Sequence, residues 1–156
     1  MAQMTLTQHG PDDPALEDVL ALTRAAFAYM DGKVDPPSSI HRLTLEKLRD
    51  TAGIAEVWSL GTPLSAAMIL TPRSDRLYIG KLSVAKPHRG KGLSRVMINH
   101  AAARAKVLNL PTLELETRIE LTSNHAAFIA MGFLEVDRTA HEGYPNPTAL
   151  TFRKSL

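Results

Sequence analysis

Apolar residues recur along this chain with two spacings, and the change from one to the other divides it into elements. Leu16, Val19, Leu20, Leu22, Ala26, Phe27 and Met30 return every three or four positions, which predicts a helix over residues 16–30. Asp12, Asp13 and Pro14 precede it as a cap and a first-turn proline. Gly32, Pro36 and Pro37 then make residues 31–39 a loop. Thr44 caps a second helix that runs to about residue 51, with Leu45 and Leu48 inward. The spacing next shortens. Residues 54–60 and 64–70 read as strands joined by Gly61-Thr62-Pro63, and residues 77–84 add a third after the turn at 72–75. The longest helix is expected over 92–108, followed by a strand over 112–117 and a helix over 122–131. Strands over 133–137 and 148–153 close the chain, and residues 4–8 add a short one at its start.

The order β-α-α-β-β-β-α-β-α-β-β predicts an α/β fold in one domain over residues 1–156. Its sheet is mixed and mostly antiparallel, is flanked by helices, and has one parallel crossover through the long helix. Composition narrows the class. Hydrophobic residues make up 44% and charged residues 22% of 156, a globular balance. Lys and Arg number 18 against 16 Asp and Glu, a net charge of +2, so the excess expected of a nucleic-acid binder is missing. No cysteine is present, which removes thiol chemistry and disulfides. Nothing approaches the roughly 20 apolar residues of a membrane helix, and the N-terminal residues lack a leader pattern, so a cytoplasmic protein is expected. No His, Asp and Glu stand at metal-ligand spacing, and no metal is expected.

The segment from Val84 to Ser94 carries the first chemical signal: a strand, a cationic glycine turn, then a helix start. Gly90 and Gly92 allow successive amides to converge, and the helix dipole favours an anion there, most plausibly a pyrophosphate. Arg89 and Lys91 add charge. A Walker loop does not fit, because Asp75 stands where the first glycine before Gly80-Lys81-Leu82-Ser83 belongs. A dinucleotide fingerprint fails at Arg95. By itself the turn is equally well a solvated cationic loop.

A second segment resolves that choice. Arg89-Gly90-Lys91-Gly92-Leu93-Ser94 resembles the [QR]-x-x-G-x-[GA] signature of the Gcn5-related N-acetyltransferases. Asn124 through Phe133, an Asn on a short helix ending in Gly132-Phe133, resembles the later block of the same family. The resemblance spans nearly the whole chain and implies acetyl-CoA as cosubstrate. It implies that the backbone of Leu82, Ser83 and Val84 pairs with the pantetheine arm, with an amide of Leu82 or Val84 polarising the thioester carbonyl. It further implies that amides from Arg89, Gly90, Lys91, Gly92, Leu93 and Ser94 hold the pyrophosphate, with Asn124 and Phe128 on the opposite side. Two positions depart from the family. Ser94 replaces Gly or Ala. Phe128 stands where many relatives carry a tyrosine thought to protonate the departing thiolate, so Tyr144, Tyr78 or a water would have to substitute.

The resemblance also implies an acceptor, a small molecule or peptide with a free amine, and a homodimer through the late strands. Glu116, near the C-terminal end of its strand, is the candidate general base, against an alternative in which it pairs with Lys81 or Arg118. Glu114 shares that face and that alternative. The loops 31–39 and 141–147 are expected to wall the acceptor pocket. Arg42 and Arg118 leave two readings open, recognition of a carboxylate or ordinary surface charge.

Overall fold

The computed structural model describes residues 3–156, and its sheet shows why the chain alternates as it does. Seven strands lie in the order β1-β2-β3-β4-β5-β7-β6. They are β1 (Gln3–His9), β2 (Glu56–Thr62), β3 (Ala66–Pro72), β4 (Leu77–Val84), β5 (Thr112–Arg118), β6 (Leu134–Thr139) and β7 (Ala149–Ser155). Every neighbouring pair is antiparallel except β4 and β5. The crossover between those two is α3 (Leu93–Val107). Before β2 come α1 (Leu16–Phe27) and α2 (Leu45–Ile54), and between β5 and β6 comes α4 (Thr122–Ala130).

Helices cover both faces, so the central strand β3 is almost continuously apolar, and alternate residues of the strands serve opposite layers. Met68, Leu70, Leu77, Ile79, Leu113 and Leu115 pack under Met97, Ile98 and Ala101 of α3. Val57 and Ala67 face the other way, into a smaller core with Leu16, Val19 and Leu20 of α1 and Leu48 of α2. Arg104 pins α3 to β2 through paired 2.8 Å hydrogen bonds to Glu56. That pairing holds the Glu56 carboxyl below the usual carboxylate range despite its burial.

Three local differences from the expected elements have physical causes. The first helix stops at Phe27, and a tighter turn takes Ala28–Met30. Its cap is also displaced. Asp13 accepts from the amide of Ala15 at 2.9 Å, while Ala15, already helical in φ and ψ, occupies the capping position without a side-chain bond. In the hairpin, Gly61 and Thr62 belong to β2, because pairing with β1 extends that strand to Thr62. Thr44 caps α2 as expected, accepting from the Lys47 amide at 3.2 Å.

One buried polar tie resembles a catalytic triad. His9 Nδ1 lies 2.7 Å from Asp13 Oδ2, and Nε2 lies 2.6 Å from Ser59 Oγ. Ser59 is only 1% exposed and His9 5%, so no substrate reaches the hydroxyl. The arrangement satisfies buried polar groups between β1 and β2.

Candidate active site

The site begins with a defect in the sheet. β3 and β4 pair as Ala67 with Ser83 and then Ile69 with Gly80, so β4 carries one extra residue opposite Met68. Lys81 absorbs the bulge at φ 50, a left-handed conformation that non-glycine residues rarely adopt. On its other edge β4 pairs with β5 only at Leu77–Leu113 and Tyr78–Glu114. Beyond Tyr78 the strands part, β4 staying with β3 while β5 stays with β7 through Arg118. A cavity of about 400 Å³ fills the resulting wedge.

The glycine turn before α3 follows directly from the end of β4. Gly90 and Gly92 both sit at φ 77, and nothing within 4 Å would meet a side chain at either. Only glycine adopts that backbone freely, and the space in front of it is open. Leu93 anchors the first turn of α3 in the core at 9% exposure. Among the described residues, the amides from Gly90 to Arg95 donate to no protein acceptor. A helix start with a run of free amides has the donors that an anion requires. Arg89 stands apart from that run. Its amide donates to the Lys86 carbonyl at 3.3 Å. Its guanidinium donates to the Ala26 carbonyl at 3.1 Å and lies 5.5 Å from the Tyr29 ring. Its side chain braces the end of α1 against the turn.

Leu82 lines the cavity; Ser83 is buried, its hydroxyl donating to the Lys81 carbonyl at 2.9 Å. Asn124 and Phe128 of α4 line the opposite wall. Asn124 Nδ2 donates to the Tyr29 hydroxyl at 3.4 Å, and Phe128 packs against Phe133 and Phe152.

The other end of the cavity is assembled from side chains. Arg118 donates to the carbonyls of Pro36 at 2.7 Å and Pro37 at 3.1 Å, and the Asp35 amide donates to Glu120 at 2.9 Å. These bonds clamp the 31–39 loop over the end of β5. Tyr144 closes the same edge from the other side. Its hydroxyl donates to Asp35 Oδ1 at 2.6 Å, which raises its pKa. Tyr144 therefore latches two loops, and His141, not Tyr144, is the residue of its loop that lines the cavity.

The strand carboxylates have opposite environments. Glu114 is 4% exposed, with Arg73 and Arg153 each donating to it at 2.8 Å and Arg76 Nε at 2.8 Å completing the cluster. Burial pushes its carboxyl up, but the Arg153 and Arg76 interactions outweigh burial and hold it low. Glu116 is exposed to the cavity, and among the described residues its carboxylate has neither an ion pair nor a hydrogen bond. The alternative pairing with Lys81 or Arg118 does not form. Tyr78 lines the same space, with the Arg73 guanidinium 4.1 Å from its ring. Burial, with the Glu116 charge adding to it, pushes the Tyr78 hydroxyl up to about 12.

The structure thus brings Leu82, Glu116, Asn124 and Phe128 to one cavity. Sequence reasoning missed Tyr29, and it treated Lys81 only as a partner for Glu116. Gly80 inside a strand pattern was the available signal for a bulge at Lys81. Nothing local marked Tyr29. Among the described residues no group of His, Asp and Glu could hold a metal, and no helix is long and apolar enough to cross a membrane.

The family model described as Acetyltransferase (GNAT) family matches residues 16–133. Solved structures with the same fold include the ribosomal-protein-S18-alanine N-acetyltransferase from Escherichia coli, at 18% identity and TM-score 0.76, covering 99% of this chain and 94% of that one. The PaiA N-acetyltransferase from Thermoplasma acidophilum in complex with coenzyme A matches at 11% identity and TM-score 0.81, covering 99% of both chains. A GNAT family acetyltransferase from Elizabethkingia anophelis with acetyl-CoA bound matches at 15% identity and TM-score 0.70, again over 99% of both. No curated protein matches the sequence.

Proposed function

Because this chain belongs to the acetyltransferase (GNAT) family, we propose that it transfers the acetyl group of acetyl-CoA to a primary amine of a small molecule or an exposed amino group, by direct attack in a ternary complex. The observation that carries this reading is the parting of β4 from β5 beyond Tyr78: β4 runs on toward the turn with free amides at Gly90–Arg95, and the cavity in the gap holds an unpaired carboxylate at Glu116. An anionic coenzyme with a long slender arm fits a site of that form, and its thioester supplies an activated acetyl group. The amides of Gly90 to Ser94 would hold its diphosphate, and the unpaired edge of β4 at Leu82–Val84 would take the arm as an added strand. Asn124 and Phe128 would close the opposite wall.

Glu116 takes the proton that the attacking amine must lose, directly or through a water. Tyr78, kept neutral by its raised pKa, presents a hydroxyl proton to the same space. With Phe128 lacking a hydroxyl, the thiolate is left to Tyr78 or to water. That substitution also favours a second reading, a catalytically weak acyl-CoA-binding or regulatory module. Calorimetric titration with acetyl-CoA together with thiol release over a panel of amines separates them. Binding with turnover supports the enzyme, tight binding with negligible turnover supports the module, and absence of binding at millimolar coenzyme removes both.

A further inference from the structure

The acceptor end of the cavity has an excess of positive charge. Arg42, Lys81 and Arg118 all line it, against the single carboxylate of Glu116. Elsewhere, arginines near the sheet find carboxylates: Arg73, Arg76 and Arg153 surround Glu114, and Arg104 meets Glu56. Among the described residues, Arg42, Lys81 and Arg118 form no ion pair. Asp35 and Glu120 act on Arg118 and partly offset its charge, but neither lines the cavity. Like charges gathered in a partly enclosed space repel, and an anion bound among them relieves that repulsion.

Lys81 is the centre of this arrangement. It holds the left-handed position of the bulge at φ 50, where Gly or Asn would be less strained, so the backbone bears strain to place an ammonium there. That ammonium donates to the Ser39 hydroxyl and has further protons free. Burial, then the charges of Arg42 and Arg118, push its pKa down, as expected of a cation that lacks its counterion. Arg118 spends two of its donors on Pro36 and Pro37 and keeps the others. In the acetyl-transfer reading the coenzyme does not supply the missing charge, since its diphosphate lies at the turn at Gly90–Ser94 and the acetyl end that enters the cavity is neutral.

We propose that the amine acceptor carries a compact oxyanion, a carboxylate or a phosphate, which Lys81 and Arg118 bind from within the cavity and Arg42 from its more exposed side. The class is amino acids and other small acidic amines; amines without an anion meet a repulsive wall. This rests on the acetyl-transfer reading, and it names the substrate class for it.

The test uses matched molecules. Coenzyme A-saturated protein is titrated with N-acetylated amino acids and their carboxamides, and with N-acetylated aminoalkyl phosphates and their methyl phosphoramidate or alcohol counterparts as the uncharged twins, while thiol release is followed with the parent amines. The anionic member of each pair should bind about 30-fold more tightly than its uncharged twin, the scale of a charge-assisted hydrogen bond. Lys81→Met should reduce that preference to about threefold, chiefly through KM, and Lys81→Arg should retain most of it. The relative affinities of the carboxylate and phosphate arms identify which anion is used. Equal or better binding of the uncharged twins overturns the proposal, as does binding of no panel member or an equal loss for both twins in Lys81→Met. Anion preference without thiol release would instead overturn acetyl transfer and leave the anion site standing. Transfer without preference would do the reverse.

Discussion

At one end of the site the free groups are main-chain amides of consecutive residues, Gly90 to Arg95, in the turn that follows β4. At the other, the cavity is lined by residues of segments that begin at Phe27 and end at Ala149. The first end is a property of backbone conformation: two glycines at φ 77 and a helix start create it whatever the neighbouring side chains are. The second depends on distant elements meeting, with Arg118 on the Pro36–Pro37 loop and Tyr144 on Asp35 holding them in place. A substitution at the first end should alter coenzyme affinity alone. One at the second should alter the rate or the choice of acceptor.

The largest effect is expected at Glu116. Glu116→Gln should lower kcat by about 10²–10³-fold with the acetyl-CoA Kd unchanged, as measured by steady-state thiol release and calorimetry. A parallel loss of coenzyme affinity would break the division between the two ends.

Glu114, two residues away, should behave in the opposite manner. Glu114→Gln removes the charged acceptor shared by Arg73, Arg153 and Arg76, of which Arg76 keeps Asp75, and is expected to cost about 3 kcal/mol in denaturant unfolding at neutral pH. The sign of the pH dependence follows from its lowered pKa. The stabilisation is present above the unfolded glutamate pKa of about 4.3 and is lost as pH falls through the lower folded value. Wild-type and variant stabilities should therefore converge in acid. A gap that persists below both values would assign the loss to packing.

Gly92→Asp probes the backbone end. Asp tolerates a left-handed residue better than most but is still strained at φ 77, so the melting temperature should fall modestly. Its carboxylate enters the amide cluster, and acetyl-CoA binding should weaken by about 100-fold, roughly 2.7 kcal/mol. Unchanged affinity would sink the diphosphate assignment. The smallest effect is at Phe128→Tyr, where a hydroxyl is added on the wall between the two ends. Turnover is expected to rise by no more than about tenfold, at constant Kd, if thiolate protonation limits the rate.

Legibility followed the same division. The bounds of β4, read as residues 77–84, and the helix start after Gly92 were visible because strand alternation, glycine turns and helical spacing are local signals. The Thr44 cap was visible for the same reason. The turn at Ala28–Met30 was not, since apolar spacing continues through Met30 and does not distinguish an α-helical turn from a tighter one. Nor was the inward bracing of Arg89, whose acceptor Ala26 lies 63 positions earlier.

The sequence by itself determined the element order, the crossover through α3, the amide cluster before it and the absence of thiol chemistry. Each depends on residues close together in the chain, where backbone preference and burial period act directly. Only the tertiary structure decided that Glu114 is locked by Arg73, Arg76 and Arg153 while Glu116 stands free, and that Lys81 shares its cavity with Arg42 and Arg118. The two glutamates have the same strand, face and chemistry. What separates them is which long-range neighbours fold against each, and electrostatic environment is a function of distance in space, not of position in the chain.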